Sequence, residues 1–286
     1  MDMILLIASA MLLAVDFLIA GLYQKGEGHS PEKVLRFNFF IGLFSVIIFF
    51  FINGCKVEWT LYSGILALIM TSIAILYTLI GFRILAAGNT AYYSFFLMTG
   101  GMTVPYIWGL FFLNEKFSWL RLAGLLLIIG SALVIYADKK RLSPKIMGLC
   151  AAIFLLNGFV SVISKEHAIS EQAVSSSAYV ILTAMVKVVV CGSLLFVFEK
   201  KKKQKSSKMK PKSLLLLAFS ALVSGLSYLL QLNGAASLPA TVVYPIVTGG
   251  SIVFTAAAGW IFLKEKPTKQ LLLGVLICFA GTCLFL

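Results

Sequence analysis

Long apolar segments dominate the chain and recur at short intervals. Ten stretches of about 20 mostly apolar residues are separated by polar connections, and an α-helix of that length crosses the hydrocarbon core of a bilayer. The stretches fall at 3–22, 34–53, 60–84, 90–113, 119–137, 145–164, 176–198, 213–233, 239–263 and 269–286. The pattern predicts an all-α membrane protein with ten transmembrane helices.

Composition places the outer surface of these helices in lipid. Hydrophobic residues make up 60% of the 286 residues and charged residues only 12%, with a mean hydropathy of +0.99. A soluble globular chain carries about 25% charged residues, so this chain lacks the charge for a water-facing surface. The first apolar stretch has neither a preceding basic region nor a following A-x-A site, which favours a spanning helix over a signal peptide.

Positive charges set the predicted orientation. The net charge is +13, and 19 of the 24 Lys and Arg residues lie in the connections that follow odd-numbered helices or at the helix ends beside those connections. Because Lys and Arg concentrate in cytoplasmic loops, these connections, including the Lys-rich 199–212 loop, are predicted to be cytoplasmic. Both termini then face outside, in a cell membrane that we expect to be a bacterial inner membrane. Charges placed this way determine topology, so we expect lipid and not nucleic acid as a partner.

The two halves of the chain resemble each other. AAGNTAYYSFFLMTGG at 86–101 aligns with AASLPATVVYPIVTGG at 235–250. This correspondence predicts two repeats of five helices each, at 1–141 and 142–286. Because five is odd, the second copy is expected to enter the membrane upside down. Many secondary transporters share this plan, with substrate held near the midplane at the repeat interface.

Further motifs resemble those of a known family. An acidic–basic pair closes the fourth helix of each half, in FFLNEKFS (111–118) and IFLKEKPT (261–268), and the fifth helix of each half is rich in glycine. Together with the two five-helix halves, these motifs are similar to the EamA-type branch of the drug/metabolite transporter superfamily. The final helix, with GVLICFAGTCL at 274–284, is also similar to that of the small multidrug resistance branch.

The resemblance implies an architecture and a class of activity. It implies a central cavity formed by helices 1–4 and 6–9, with helices 5 and 10 at the periphery. Family members export or exchange amino acids, amines, drugs and nucleotide-linked sugars. Two features depart from the family. Thr-Gly-Gly stands in helices 4 and 9 where many members have proline, and the charges predict that the termini lie outside whereas many members keep them in the cytoplasm.

Ionisable side chains inside spanning segments are candidate functional groups, because they are costly in lipid and usually face the bundle interior. Lys187 lies near the middle of helix 7, too deep for easy snorkelling, and is predicted to meet an anionic substrate group or to be proton-linked. Asp16 in helix 1 is predicted to bind a cationic substrate or carry a coupling proton, or alternatively to pair with Lys187. Asn157 occupies a similar depth in helix 6.

Polar aromatic and amide side chains add to this candidate set. Tyr228 lies deep in helix 8 and is predicted to line the cavity, with buried packing as the alternative. Tyr92 and Gln231 lie near predicted helix ends, where interfacial anchoring is the default role. Both are nevertheless included as candidates for substrate binding.

Two glycine pairs occupy matching places in the halves. Gly100-Gly101 and Gly249-Gly250 are predicted to permit a close crossing of helices 4 and 9, because small residues let helix backbones approach in lipid. Bending of these helices during the access switch is the alternative.

Charged residues at helix ends receive a structural interpretation. Glu166 and His167 are predicted to be solvated interface residues, with a titrating gate as the alternative. Glu115 and Glu265 end helices 4 and 9 in matching positions, which indicates a role at a helix end and not in substrate contact.

The predicted function is that of a secondary transporter. The sequence contains no G-x-x-x-x-G-K-[ST], H-E-x-x-H or G-x-S-x-G motif, so ATP drive, enzymatic activity, cofactors and metal sites are not expected. We expect a monomer or homodimer that moves a small polar metabolite (an amino acid, amine or related compound) by alternating access, proton-coupled or by exchange. A lipid-linked sugar flippase of the same fold is the alternative.

Overall fold

The computed structural model describes residues 2–27, 30–86, 90–136, 143–202, 211–263 and 268–286. Within these ranges it contains ten helices: α1 (Asp2–Glu27), α2 (Pro31–Ile52), α3 (Leu61–Ala86), α4 (Thr90–Phe112), α5 (Trp119–Tyr136), α6 (Pro144–Ile169), α7 (Ser176–Lys202), α8 (Pro211–Ser237), α9 (Ala240–Leu263) and α10 (Lys269–Cys283). The all-helical prediction is confirmed. Most of the Lys-rich loop, the predicted repeat boundary and Glu265 lie outside the described residues.

Helix ends follow local capping chemistry. Ser30 and Ser143 precede prolines that begin α2 and α6, and each serine hydroxyl accepts a hydrogen bond from a first-turn amide at 3.4 Å. Thr268 caps α10 in the same way. The far ends of α6 and α8 were predicted too early, because both helices run at least four residues further, to Ile169 and Ser237.

The helices differ in their capacity to span a bilayer. Eight of those described are long and apolar enough to cross, whereas Trp119–Ile135 in α5 and Lys269–Cys283 in α10 are shorter apolar segments. A helix rises about 1.5 Å per residue and the hydrocarbon core is about 30 Å thick, so the described part of α10 covers about 22 Å of that thickness and that of α5 covers nearly all of it. The prediction of ten helices is confirmed, and eight of them are long apolar spans within the described residues; a membrane crossing by α5 and α10 stays a prediction.

Hydrogen bonds between helix ends define two faces of the bundle. On one face Ser237, at the end of α8, donates to Asp2 at the start of α1 at 2.9 Å. On the other, Ser213 near the start of α8 donates to Glu27 at the end of α1 at 2.7 Å. We call the first the terminal face, because α1 begins there and Phe285, just after α10, packs against the beginning of α5 there. The second is the opposite face.

Helix packing joins the first five helices to the last five. Extensive contacts occur between α2 and α7, α4 and α6, α1 and α8, α1 and α9, α3 and α6, and α5 and α10. Buried side chains of α4, α5, α9 and α10 share one apolar cluster, which lies beside the central helices. The core is therefore built from both halves of the chain.

The glycine pairs permit close approach, but to other helices than predicted. A Cβ on Gly100 would lie 2.2 Å from the Phe154 carbonyl oxygen of α6, and one on Gly250 would lie 2.9 Å from Ala10 of α1. Gly101 faces Asn157 of α6, and Gly249 faces α10 and α5. The predicted crossing of α4 and α9 at these glycines is corrected. Helices α4 and α9 do contact each other, but the α4 glycines pack against α6 and the α9 glycines pack against α1, α5 and α10.

Candidate functional site

A central cavity lies between six helices, three from each half of the chain. Its volume is about 250 Å³, and α1, α3, α4, α6, α8 and α9 contribute its walls. The polar lining residues are hydroxyl-bearing or amide side chains: Tyr77, Asn157, Ser161, Ser164, Tyr228, Gln231, Tyr244, Thr248 and Ser251. Leucine, valine, methionine and phenylalanine side chains complete the lining.

Three predicted site residues meet in this cavity: Asn157, Tyr228 and Gln231. The Asn157 side-chain amide donates to the carbonyl of Leu97 on α4 at 2.7 Å. That bond ties α6 to α4 where Gly101 leaves room for the asparagine. Asn157 therefore joins two cavity walls while its side chain lines the space between them.

Tyrosine hydroxyls fix the part of the cavity nearest the terminal face. The Tyr228 hydroxyl lies 2.9 Å from the Ser164 hydroxyl, which links α8 to α6. The Tyr244 hydroxyl of α9 donates to the backbone carbonyl of Ser161 at 2.6 Å. Each tyrosine hydroxyl thus has a hydrogen-bond partner on α6, as is usual for a tyrosine in a protein interior. These serines gave no signal in the sequence, because small hydroxyl residues also occur commonly at helix packing contacts in membranes.

Gln231 lines the cavity with a side-chain amide that can form hydrogen bonds with a bound solute. In the described part of the chain its side-chain amide has no hydrogen-bond partner, although it lines the cavity. Its placement depends on the length of α8, which continues to Ser237. Six further helical residues put Gln231 about 9 Å inside the end of the helix. Gln231 therefore lies in the cavity wall and not at the membrane interface, where its predicted default role of anchoring would place it.

Asp16 lies beside the cavity, whereas Lys187 lies on α7, which contributes no lining residue. Neither is a lining residue, but Leu13 and Phe17, on the same helix as Asp16, do line it. Asp16 accepts a hydrogen bond from the Ser220 hydroxyl of α8 at 2.5 Å and is within electrostatic reach of Lys187. Both side chains lie in the described part of the chain, where they form no direct ion pair. The alternative for Asp16, a direct pair with Lys187, is therefore replaced by an electrostatic interaction without an ion pair.

Tyr92 lies apart from the other candidates. It packs against an apolar cluster that contains Ile84, Cys150 and Ile153, on α3 and α6. It does not line the cavity within the described residues. The structure thus places three of the six candidate residues in one cavity, one beside it and two outside its lining.

A network of polar bonds joins the helix ends on the terminal face. The Lys165 ammonium of α6 donates to the carbonyls of Ala235 at 2.6 Å and Leu238 at 2.7 Å, at the end of α8. The Glu115 carboxylate accepts from the backbone N–H groups of Ala240 at 2.5 Å and Thr241 at 2.9 Å, at the start of α9. A cation on a helix C-terminus and an anion on an N-terminus both complement the helix dipole. Glu115 therefore acts at a helix end, though that helix is α9.

Two residues predicted to be solvated are instead bonded within this network. His167 is 1% exposed, stacks on Tyr179 with ring centroids 3.5 Å apart, and has Nε2 3.0 Å from the Ser63 hydroxyl. The partly buried Glu166 accepts a hydrogen bond from Trp108 Nε1 at 2.6 Å. The solvated-interface prediction is wrong because α6 continues past them and packs its last turn against α3, α4 and α7.

The chemical character of the cavity can be compared with that of a metal site. Among the described residues, no group of three or more His, Cys, Asp or Glu side chains is arranged to hold a metal ion. The cavity instead offers amide and hydroxyl groups between apolar walls, which is the composition of a small-molecule binding site.

Comparison with known proteins identifies relatives of the fold and the sequence. The family model described as "EamA-like transporter family" matches residues 144–286. A solved protein described only as "Crystal structure of protein" superposes with a TM-score of 0.78 over 99% of this chain and 97% of its own, at 13% identity. At that identity the likeness establishes the fold alone. No curated protein matches the chain.

Proposed function

This chain belongs to the EamA-like transporter family, and from that premise we propose that it is a secondary transporter which moves a small polar metabolite by alternating access. It is a multi-pass membrane protein of a family that transports and does not catalyse reactions. A transporter acts on a small-molecule substrate. The metabolite, the coupling and the direction are the parts that we propose.

One observation carries the proposal: a polar cavity of about 250 Å³ lies where helices from both halves meet. Small-molecule sites are concave and mainly apolar, with a few polar groups that fix orientation. Secondary transporters hold substrate near the midplane, between their repeats. Asn157, near the middle of α6, and Ser251, near the middle of α9, bring the lining to that depth.

The helix contacts support an inverted repeat of 1–141 and 142–286. If the halves are related by a twofold axis, each contact should have a counterpart in which each helix is exchanged for its equivalent. The α4–α6 contact then corresponds to α9–α1, and α3–α6 to α8–α1, and both members of each pair occur. The α2–α7 and α5–α10 contacts correspond to themselves. This pairing is the geometry in which two equivalent halves can exchange conformations.

The bonds on the terminal face supply a gate in this proposal. Lys165 and Glu115 bind the turn between α8 and α9. Tyr228 and Tyr244 line the cavity on the side of that turn and are hydrogen-bonded to α6. In alternating access this network breaks when the cavity opens toward the terminal face. The charge distribution supports an outside location for that face, with the Lys-rich 199–212 loop in the cytoplasm.

Asp16 and Lys187 are the proposed coupling residues. They are ionisable groups inside spanning helices, a costly placement that marks proton relays and ion pathways. Asp16 lies one residue before Phe17, which lines the cavity, so a change in its charge would act directly on that wall. Coupling by proton and coupling by solute exchange both remain within the proposal, as do the monomer and the homodimer.

Solute uptake into proteoliposomes tests the proposal. Purified protein should move a radiolabelled amino acid, amine or other small polar metabolite, and Asp16→Asn or Lys187→Met should reduce the rate at least about tenfold if these groups couple transport. Lys145→Met is the matched control, since Lys145 is exposed at the start of α6. Normal transport by both variants would exclude the coupling assignment. Movement of a lipid-linked sugar, without movement of any small polar solute, would overturn the proposal in favour of a flippase.

A further inference from the structure

The cavity lining carries no formal charge in the described residues. Its polar members are tyrosine, serine and threonine hydroxyls and the amides of Asn157 and Gln231. The ionisable groups nearest the cavity do not line it: Lys165 donates to two carbonyls at the end of α8, and Asp16 accepts from Ser220. Lys187 lies on α7, which contributes no lining residue. A charged solute in this space would lose water without gaining a counter-charge, which is strongly unfavourable.

Four lining groups retain hydrogen-bonding capacity for a solute. Within the described residues no protein partner is found for the Gln231 amide, the Asn157 side-chain oxygen, or the hydroxyls of Tyr77 and Thr248. Glutamine offers a donor and an acceptor side by side, and the asparagine oxygen adds an acceptor. These groups complement a solute edge that itself carries a donor next to an acceptor.

We propose that the solute held in the central cavity is uncharged and carries a carboxamide or cyclic amide edge, which pairs with the side-chain amide of Gln231. The inference rests on the proposed transport function and narrows its substrate class. Leu13, Phe17 and Val247 supply an apolar surface for the remainder of the solute. A volume of about 250 Å³ corresponds to about eight water molecules, so one or two rings fit.

The same argument discriminates against amines and zwitterionic amino acids at this position. An ammonium group needs a carboxylate or a set of free carbonyls, and a carboxylate needs a cation or free N–H donors. In the described lining neither Asp nor Glu, and neither Lys nor Arg, is present. A site built from neutral hydrogen-bonding groups rejects a solute that leaves those groups unpaired.

Three probes of nearly equal shape and different charge test the proposal. Nicotinamide is neutral, nicotinate is an anion and 1-methylnicotinamide is a cation; uracil serves as a second neutral amide. Each is added at about 10 mM to the purified full-length protein, and its melting temperature is recorded. A neutral amide should raise the melting temperature by roughly 3 °C or more, because a ligand of the folded state stabilises it, whereas the charged probes should leave it unchanged.

Variants of Gln231 assign the effect to the cavity. Gln231→Leu should abolish the shift, while Gln172→Leu, at an exposed position on the terminal face, should retain it. Gln231→Glu keeps the side-chain shape and adds a negative charge, so it should lose nicotinamide and gain 1-methylnicotinamide. This second variant decides the matter if the leucine variant does not fold.

The proposal is overturned if a charged probe stabilises the protein as much as a neutral amide, or if Gln231→Leu retains the shift. It is also overturned if neither neutral amide shifts the melting temperature. In each case uptake of an amino acid or amine into proteoliposomes would leave the transporter function standing. Absence of uptake for every solute would instead count against the transporter function itself.

Discussion

The ammonium nitrogen of Lys165 lies 2.6 Å from the carbonyl oxygen of Ala235, and the lysine side chain is 5% exposed. Ala235 belongs to the last turn of α8, where carbonyl groups lack helical donors. Lys165 also bonds the carbonyl of Leu238, just past the helix. One cation therefore satisfies two acceptors that would otherwise be buried without a partner.

Replacing this lysine should destabilise the terminal face. Lys165→Met keeps the apolar stem but leaves both carbonyls unpaired. A hydrogen bond to a charged group contributes about 1.5–3 kcal/mol to stability, and that contribution is lost in the variant. A lower melting temperature in detergent is the expected result. Lys56→Met, at an exposed lysine on the same face, should melt like the native protein. Equal melting of the two variants would contradict a stabilising role for Lys165.

Glu115 should stabilise the start of α9 through its charge. Its two oxygens accept from Ala240 and Thr241, so Glu115→Gln removes the anion and one of the two acceptors. Loss of such a helix cap costs about 1 kcal/mol. Chemical or thermal unfolding measures the change, with Glu171→Gln at an exposed position as the control. If both glutamine variants unfold alike, the carboxylate does not act as a cap.

Gly100 and Gly148 should respond oppositely to the same substitution. Gly100→Ala places a methyl group against the backbone of Phe154, which cannot move without displacing α6, so about 1–3 kcal/mol of stability should be lost. A Cβ on Gly148, also within a helix, meets no atom within 4 Å. Gly148→Ala should therefore be neutral or stabilising by up to about 1 kcal/mol. Thermal melting of the pair measures both, and equal loss in the two would show that crowding at Phe154 is not the cause.

The connection between α2 and α3 should loosen in acid. Glu58 accepts a hydrogen bond from the Ser175 backbone N–H at 2.9 Å, and this bond holds the pKa of the carboxyl below its usual value. Because the folded-state pKa is lowered, the bond stabilises the protein fully above pH 4.5, and that contribution is lost as pH falls through the lowered pKa.

Melting curves at several pH values measure this contribution. Glu58→Gln should melt about 1–2 °C lower than the native protein at pH 7, because the bond is exposed to solvent, and the two proteins should converge as the pH falls through the lowered pKa of Glu58. Glu171→Gln, whose carboxyl is exposed, is the control. A difference that persists unchanged at low pH would mean that the charge of Glu58 is not involved.

Sequence patterns predicted the helices well because lipid requires long apolar runs. They failed at the end of α8, which continues past Asn233 to Ser237, and at the end of α6, where charged residues indicated solvent. Lys165 and His167 are buried there because they find partners on α8 and α3, which no local pattern encodes.

The cavity was only partly predictable for a related physical reason. Asn157 and Tyr228 are conspicuous because amides and phenols are costly in lipid unless they bond or line a cavity. Asp16 and Lys187 are equally conspicuous, yet neither side chain lines the cavity, because the direction in which a helical residue points depends on the neighbouring helices. Ser164 and Thr248 line it without any distinguishing pattern, since small hydroxyl residues serve packing as readily as binding.

The joint construction of the cavity has a consequence for assembly of the polypeptide. With α1 against α8 and α9, and α6 against α3 and α4, each half presents helices whose natural neighbours belong to the other. If the first half were synthesised alone, Leu13 would face lipid, and if the second half were synthesised alone, Asn157 would face lipid, because the helices that cover them would be missing. Two separately encoded fragments should therefore complement each other inside one membrane, and each should be degraded when the other is missing.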